Sequence, residues 1–160
     1  VWMTQASKLE ACRKMVQADA SVLLVAWFEE SYGKLQQALA TEASLHLIMA
    51  NDLSKDKVIN RMIVFVEHYP LRQTEQSLFL KLELEQVPVL SALDEPLFKQ
   101  FGGERLQQLI RQIGMTEHEV ISHAMVTKSI ANAQRKLADT VKVERAAASQ
   151  ERWFEQNGKS

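Results

Sequence analysis

The sequence is poor in cysteine, proline and glycine. Cys12 is the only cysteine among the 160 residues, so the chain has neither a disulfide of its own nor a cysteine-based zinc site, and we interpret Cys12 as a packed small hydrophobe. A single thiol fits a reducing, cytoplasmic location. With 5 glycines, 3 prolines and 46% hydrophobic residues, the composition argues against disorder over most of the chain and indicates a globular, helix-rich domain.

The sequence also lacks an excess of one charge and a long apolar run. A net charge of −1 and a pI near 6.5 argue against a protein that binds the phosphate backbone, so we expect no nucleic-acid partner. No segment approaches the roughly 20 apolar residues of a transmembrane helix, and no signal pattern precedes the first helix. Because the chain begins with Val1 and not with Met, we expect a segment of a longer protein.

The first half of the sequence alternates short apolar runs with helical patterns. The apolar runs are Ser21 to Phe28, Leu45 to Ala50, Arg61 to Val66 and Val87 to Leu90. Short, continuous runs of this kind are typical of strands that a parallel sheet covers on both faces. Strands that are joined through helical crossovers build such a sheet with right-handed connections. The sequence therefore predicts an α/β fold with a small open parallel sheet of about four strands.

After Leu93 the pattern becomes helical. We expect Asp94 to cap a short helix whose first turn holds Pro96, because proline is tolerated at that position. The next expected features are a break at Gly102-Gly103, a helix over 104–113, a left-handed cap at Gly114, and a capping box formed by Thr116 and Glu119.

From about Ser122 to Glu155 neither glycine nor proline interrupts the helical pattern. This predicts one helix of about 50 Å, at 1.5 Å per residue, which is longer than a small sheet can cover. We therefore expect two domains, an α/β domain over 1–121 and a C-terminal α-helical extension over 122–160 that binds a protein partner. The residues expected at the partner contact are Val126, Ile130, Leu137, Val141, Trp153 and Phe154.

Polar side chains that follow the predicted strands are candidates for chemistry. We interpret Asn51-Asp52, after the second run, as capping residues, because the sequence has no glycine-rich phosphate loop. Glu67, His68 and Arg72 follow the third run, at the edge where open α/β sheets bind ligands. These residue types are suited to acid–base work. We assign no catalytic residue, however, and keep Glu67 and Arg72 as vestigial candidates for binding a cofactor.

The other histidines suggest no metal site. His46 lies inside an apolar run, and we interpret it as a core histidine whose ring nitrogen has a hydrogen-bond partner. His118 and His123 are five residues apart, so on a helix their side chains diverge by more than a quarter turn. We therefore predict no metal site and no bound cofactor.

The segment from Leu90 to Leu137 carries a specific resemblance. It contains, in order, Leu93-Asp94-Glu95, Phe101-Gly102-Gly103, Ile113-Gly114-Met115, Ile121-Ser122-His123 and Ala133-Gln134-Arg135-Lys136. This pattern resembles the end of the second nucleotide-binding lobe of SecA, the preprotein-translocase motor ATPase, where that lobe runs into its long helical scaffold. Upstream, residues 21–39 and 65–78 resemble earlier parts of the same lobe more weakly. The resemblance implies a RecA-like fold and a role near protein traffic.

Two departures from the family pattern bear on activity. Where the family has Asn-Met-Ala-Gly-Arg-Gly-Thr-Asp, this chain has Ala50-Asn51-Asp52-Leu53-Ser54, and where the family alternates arginine with glycine, residues 79–86 read FLKLELEQ. Arginine fingers contribute about 10³- to 10⁵-fold to phosphoryl transfer. We therefore expect a degenerate lobe that has lost ATP hydrolysis.

These expectations lead to one main hypothesis and two alternatives. The main hypothesis is a non-catalytic, SecA-like scaffold or docking module, linked to protein translocation, that binds a protein through its C-terminal helix. The first alternative is the second lobe of a longer ATP-driven translocase or helicase, whose phosphate loop lies outside this chain. The second alternative is a homodimerisation domain that forms a homo-oligomer through the same helix.

Overall fold

The structure is a computed structural model, and it describes residues 1–99, 103–112, 114, 116 and 124–157. The chain divides into two compact units. The first, which we call the sheet unit, comprises Leu9–Tyr69 and Gln73–Leu90. The second, the helical unit, comprises Val1–Lys8, Pro70–Arg72 and Ser91–Ser160.

The sheet unit contains three parallel strands. They are β1 (Val22–Ala26), β2 (Leu47–Met49) and β3 (Met62–Phe65), in the order β2-β1-β3. In the register of the sheet, Val25 of β1 pairs with Ile48 of β2 and with Phe65 of β3. All five residues of β1 are buried, as expected for the central strand of a covered parallel sheet. The predicted α/β class with a small open parallel sheet is therefore confirmed.

The fourth predicted strand, Val87 to Leu90, makes only one parallel bridge, between Val89 and Phe65. The Phe65 N–H donates to the Pro88 carbonyl at 3.0 Å, and the Leu90 N–H donates to the Phe65 carbonyl at 2.8 Å. In a parallel ladder the next hydrogen bond toward the amino end would need the N–H of residue 88. Proline has no N–H, so the ladder stops there.

Nine helices are present in the described part of the chain. They are α1 (Gln5–Ala18), α2 (Glu29–Leu39), α3 (Ala43–His46), α4 (Lys55–Val58), α5 (Arg72–Lys81), α6 (Pro96–Lys99), α7 (Gly103–Gln112), α8 (Ala124–Thr140) and α9 (Gln150–Asn157). Helix α5 ends at Lys81, because Glu83 adopts φ 57° and the Leu84 N–H donates to the Phe79 carbonyl at 2.9 Å. This left-handed ending satisfies the last carbonyls of the helix without a glycine.

The core of the sheet unit lies where β1 and β3 meet the segments that follow β2 and α5. Its buried members are Leu23, Val25, Ala50, Leu53, Ile63, Phe65 and Leu82. Phe65 packs edge-on against Phe79 of α5, with ring centroids 5.0 Å apart. This packing holds the carboxyl end of β3 in place.

In the helical unit, the chain beside Trp2 pairs with the chain beside Ala92 in a parallel bridge. The Trp2 N–H donates to the Ser91 carbonyl and the Leu93 N–H donates to the Trp2 carbonyl, both at 2.9 Å. Helix α6 contacts α7, α8 and α9. The unit is thus held together by segments that are far apart in the sequence.

The predicted continuous helix from Ser122 to Glu155 is wrong. Helix α8 ends at Thr140, whose hydroxyl donates to the Leu137 carbonyl at 3.1 Å, and residues 141–149 form neither helix nor strand. The β-branched residues Thr140, Val141 and Val143 weaken helix propensity at this point. A new helix starts after Ser149, whose side-chain oxygen accepts the Arg152 N–H at 3.2 Å as an N-cap.

The prediction for Asp94 also needs correction. Its carboxylate accepts the backbone N–H of Gln5 at 2.8 Å, so it caps α1, which lies 89 residues away in sequence, and not the adjacent α6. The left-handed cap at Gly114 is confirmed by its φ of 85°. The predicted Gly102-Gly103 break, the Thr116–Glu119 box, His118, His123 and the boundary between residues 121 and 122 lie wholly or partly outside the described residues. The division into domains 1–121 and 122–160 stays a prediction.

Candidate functional site

The carboxyl ends of β1 and β3 form the candidate site of the sheet unit. In the strand order β2-β1-β3, the central strand β1 has the next strand of the chain, β2, on one side and β3 on the other. The direction of the connections therefore reverses at β1. Open α/β sheets bind ligands in the crevice at such a switch point. The chain continues from β1 into Trp27 and Phe28, and from β3 into Val66 and Glu67.

Glu67 is buried at this switch point, with 4% of its surface exposed. One carboxylate oxygen accepts the backbone N–H groups of Trp27 and Phe28, at 3.1 and 3.2 Å. The other accepts the hydroxyl of Ser31 at 2.6 Å. Phe28 is the N-cap residue of α2, so Glu67 supplies this helix with a capping carboxylate from another strand.

The position of Glu67 determines what else can bind there. The N-terminus of a helix attracts anions, because its first N–H groups lack partners within the helix and the helix dipole is positive at that end. Nucleotide-binding α/β proteins use this position for phosphate. In this chain the Glu67 carboxylate accepts the N–H groups of Trp27 and Phe28, which lie just before the first residue of α2, and its negative charge opposes a second anion there.

Aromatic rings surround the same edge of the sheet. Tyr69 stacks on Phe28, with ring centroids 5.6 Å apart and an angle of 10° between the planes. Trp27 contacts both Tyr69 and Phe65, at 5.2 and 5.4 Å. The indole nitrogen of Trp27 is buried without a hydrogen-bond partner among the described residues. These rings cover the switch point with apolar surface, which a charged nucleotide does not favour.

His68 and Glu75 close the loop between β3 and α5. The His68 Nδ1 lies 2.9 Å from a Glu75 carboxylate oxygen, and the Tyr69 N–H donates to that same oxygen at 2.7 Å. Glu75 is 5% exposed. A histidine beside a carboxylate can act as a general base. Here the pair also fixes the backbone of the loop through the Tyr69 N–H. This structural role is sufficient to explain why His68 and Glu75 lie together.

Other predicted residues have definite places in the structure. Arg72 is exposed at the first residue of α5, and Asn51 and Asp52 are exposed in a short 3₁₀ turn after β2. His46 is buried, and its Nδ1 donates to the Val22 carbonyl at 2.8 Å, which confirms the interpretation as a core histidine. Cys12 is buried, as predicted.

Among the described residues, no group of three or more His, Cys, Asp or Glu side chains is arranged to hold a metal ion. None of the described helices has both the length and the hydropathy that crossing a bilayer requires.

The residues predicted to contact a partner are mostly buried within the helical unit. Val126, Ile130 and Leu137 form the buried face of α8. The expectation that Trp153 and Phe154 extend beyond the domain is wrong, because they are 0% and 4% exposed. Their role as partner contacts stays a prediction, but exposure no longer supports it.

An exposed apolar residue that the sequence did not single out lies two positions after Val141, one of the predicted contact residues. Val143 is 82% exposed, and Val141 at the end of α8 is partly exposed. The signal was present in the sequence as three β-branched residues that follow Asp139. In a continuous helix Val143 would lie away from the face that holds Val126, Ile130 and Leu137, so the helical pattern did not predict it as a contact residue.

No family model matches the chain. Part of it is similar to proteins named protein translocase subunit SecA. Over 46 residues it is 54% identical to that of Acidithiobacillus ferrooxidans, 50% identical to that of Aromatoleum aromaticum and 46% identical to that of Clostridium perfringens. Each match covers 29% of this chain and only 5% or 6% of the relative. The chain therefore contains a region of about 46 residues that is similar to SecA, and it spans only a small part of the length of the relatives it matches.

Proposed function

We propose that this chain is a protein-docking module of a protein-translocation system and that it does not hydrolyse ATP. The similarity to SecA over 46 residues supports the link to translocation. The observation that carries the non-catalytic part is the Glu67 carboxylate, which accepts the two backbone N–H groups at the start of α2. A nucleotide phosphate at the amino end of α2 would meet this negative charge. We propose a cytoplasmic location, as for a translocation factor that works on the side where proteins are made.

The loop after α5 supports the same conclusion. Residues 79–86 carry two glutamates and no arginine, and both Glu83 and Glu85 are exposed. A transferring phosphoryl group needs positive charge around its oxygens, so acidic side chains in this segment would repel it. The sequence also contains no glycine-rich phosphate loop.

Calorimetric titration with magnesium-ATP tests directly whether the chain binds nucleotide. We expect no binding by the unmodified chain. The Glu67→Gln variant, which keeps the shape of the side chain and removes its charge, tests whether that charge alone excludes phosphate. If the unmodified chain bound ATP, the non-catalytic proposal would fail. If only the Glu67→Gln variant bound it, Glu67 would be identified as the group that excludes phosphate.

The proposed docking surface lies at the end of α8, where Val141 and Val143 are accessible in the structure. The partners proposed are other subunits of a protein translocase, because the matched relatives are named as translocase subunits. The buried residues among the predicted contacts, Val126, Ile130 and Leu137, would contribute to docking indirectly, because they hold α8 in place.

Cosedimentation with membrane vesicles tests this surface. One set of vesicles contains the protein translocase of the source cell, and the other contains its lipids alone. We expect the chain to sediment only with the first set, and Val143→Asp to lower the bound fraction several-fold. Leu80→Asp is the matched control, because Leu80 is 79% exposed and Val143 is 82% exposed. Equal binding to both vesicle sets, or equal loss in both variants, would contradict the docking proposal.

The second candidate is the second lobe of a longer ATP-driven motor. The observation that favours it is Arg72, which is exposed at the start of α5 in the segment that resembles the family. An intact parent protein that hydrolyses ATP, and loses most of this activity on Arg72→Ala, would support it. Gln73→Ala, at an exposed neighbouring position, is the control. The third candidate, homodimerisation, is a question for the isolated chain.

A further inference from the structure

Helix α9 has a specific seat in the helical unit. Trp153 is fully buried, and Phe154 packs edge-on against it with ring centroids 5.3 Å apart. At the amino end of the helix, the side-chain oxygen of Gln150 accepts the backbone N–H of Leu97 in α6 at 3.1 Å. Helix α9 also contacts α6 directly. The burial of both rings and the hydrogen bond from Leu97 to Gln150 together define one position for α9 beside α6.

Residues 141–149, which we call the hinge segment, join α8 to this seated helix. Residues 142–146 of the segment are all exposed. The Glu144 carboxylate accepts the Trp153 indole N–H at 2.8 Å, and the Asn157 side-chain amide pairs with the backbone N–H and carbonyl of Arg145, at 2.6 and 2.8 Å. The hinge segment is therefore closed onto α9 by hydrogen bonds at an accessible surface.

The hinge segment also has the composition of a helix. It reads VKVERAAAS, without glycine or proline, and contains three successive alanines. Alanine, lysine, glutamate and arginine are good helix formers. If the segment became helical, α8 and α9 would join into one helix of about 50 Å, at 1.5 Å per residue. Helix α9 would then leave its seat on its own chain.

We propose that α9 exchanges between two copies of this chain when the hinge segment opens. In the exchanged dimer, α9 of each copy occupies the seat beside α6 of the other copy. Phe154 and Gln150 then keep the contacts that they make in the closed chain and Trp153 stays buried, so the exchange loses mainly the hinge contacts, among them the hydrogen bond from Trp153 to Glu144, and the entropy of association. The surface that binds the partner is the site beside α6, and α9 of a second copy binds there. This inference concerns the isolated chain and does not rest on a role in translocation.

The first test measures molecular mass by light scattering, after incubation at about 1 mM and at about 10 μM. At the higher concentration we expect a species of twice 18.2 kDa in addition to the monomer. Ala146→Pro should lower the dimer fraction about tenfold or more, because proline in a helix interior blocks continuation of the helix. Residue 146 is exposed, so Ala146→Ser is the matched control and should keep the dimer. A chain that is monomeric at both concentrations, or a dimer that Ala146→Pro leaves unchanged, would overturn the proposal.

The second test needs no variant, so it does not depend on how Ala146→Pro folds. Chains labelled with ¹⁴N and ¹⁵N are mixed while unfolded, refolded at high concentration and treated with a zero-length crosslinker. The crosslinks of interest join Lys99 of α6 to Glu151 or Glu155 of α9. In the isolated dimer fraction, exchange predicts crosslinked peptides of mixed isotope in about half of the cases, as expected for random pairing of two equal pools. Crosslinks in which both peptides always carry the same isotope would show that α9 stays on its own chain.

Discussion

The two compact units differ in how far along the chain their polar contacts reach. In the sheet unit, Glu67 accepts hydrogen bonds from residues 36 to 40 positions away, and Glu75 accepts them from 6 to 7 positions away. In the helical unit, contacts span 53 residues between Leu97 and Gln150, and 89 between Gln5 and Asp94. In the helical unit, residues 94–97 from the middle of the chain therefore contact both the amino-terminal segment and α9, whereas the sheet unit is built from one region of the chain.

The buried glutamates show the same difference. Glu67 accepts only neutral donors in the contacts described above, whereas Glu95 of the helical unit pairs with the ammonium of Lys8, 87 residues away. Glu95 also accepts the Ala92 N–H at 2.9 Å, and its second oxygen has no hydrogen-bond partner among the described residues. A buried carboxylate that is paired with a distant counter-ion is sensitive to the loss of that partner.

The largest test of this difference removes Trp153. Trp153→Ala should lower the free energy of unfolding by about 3–5 kcal/mol, because a fully buried aromatic ring is replaced by a cavity. Urea denaturation at low protein concentration measures it. Val143→Ala, in the exposed hinge segment, should change stability by less than about 0.5 kcal/mol. Similar losses in the two variants would mean that α9 adds little to the helical unit.

The next test breaks the distant ion pair. Lys8→Met should cost about 3 kcal/mol in urea denaturation, because Glu95 would remain buried without its counter-ion. Adding Glu95→Gln should restore part of this loss, since the buried charge is then removed as well. Lys34→Met is the control, because the Lys34–Glu30 pair is more than half exposed and such pairs contribute about 0.5 kcal/mol or less. A Lys8→Met effect as small as that of Lys34→Met would contradict the contrast.

A smaller effect is expected from the cap in the sheet unit. Glu67→Ala should cost about 2 kcal/mol, because it leaves the Trp27 and Phe28 N–H groups without their acceptor, and Ser31→Ala should cost about 1 kcal/mol. Glu30→Ala is the matched control in the first turn of the same helix, where an exposed carboxylate contributes only about 0.3–1 kcal/mol through the dipole. Thermal and urea denaturation should give the same order of effects. If Glu30→Ala cost more than Glu67→Ala, the capping role would be refuted.

The smallest expected effect depends on pH. The Ser21 hydroxyl and the Ser21 backbone N–H, at 2.7 and 2.8 Å, lower the pKa of Asp19 below its ordinary value of 3.8. A carboxylate whose pKa is lower in the folded state contributes stability above its unfolded pKa, and this is lost as the pH falls through the folded pKa. Asp19→Asn should therefore be less stable than the unmodified chain at pH 7. The difference in stability should shrink as the pH falls below 3.8, the ordinary pKa of the carboxyl group. A difference that stays constant as the pH falls would contradict this account.

Much of the sheet unit could be predicted from local sequence. The apolar run from Ser21 to Phe28 predicted β1, because a strand that is buried on both faces needs a continuous apolar segment and little else. The site was predictable only in part. The position of Glu67 after the third run placed it at the correct edge, but its hydrogen-bond donors follow a different strand. No local pattern indicates which N–H groups a carboxylate will meet in the folded chain.

The helical unit was less predictable for a physical reason. The β-branched residues at positions 140, 141 and 143 weaken the helix only locally, and the rest of the hinge segment is compatible with a helix by composition, so the burial of Trp153 contributes to the break between α8 and α9. One local signal was available, because Ser149 followed by Gln150 and Glu151 is a typical helix start. Asp94 was similarly assigned to the helix next to it, although the N–H group that it caps belongs to Gln5.

Pro88 has a further consequence, for how the chain behaves when it is concentrated. An edge strand with open backbone groups can template the addition of strands from other molecules, which leads to fibrillar aggregates. Since Pro88 stops the pairing with β3 at its amino end, and Val89 makes only one bridge to β3, the segment at this edge is not a regular strand whose outer side could accept another. The residue that makes the sheet one strand shorter than its apolar runs suggest is therefore also one that protects the protein from polymerising through this edge.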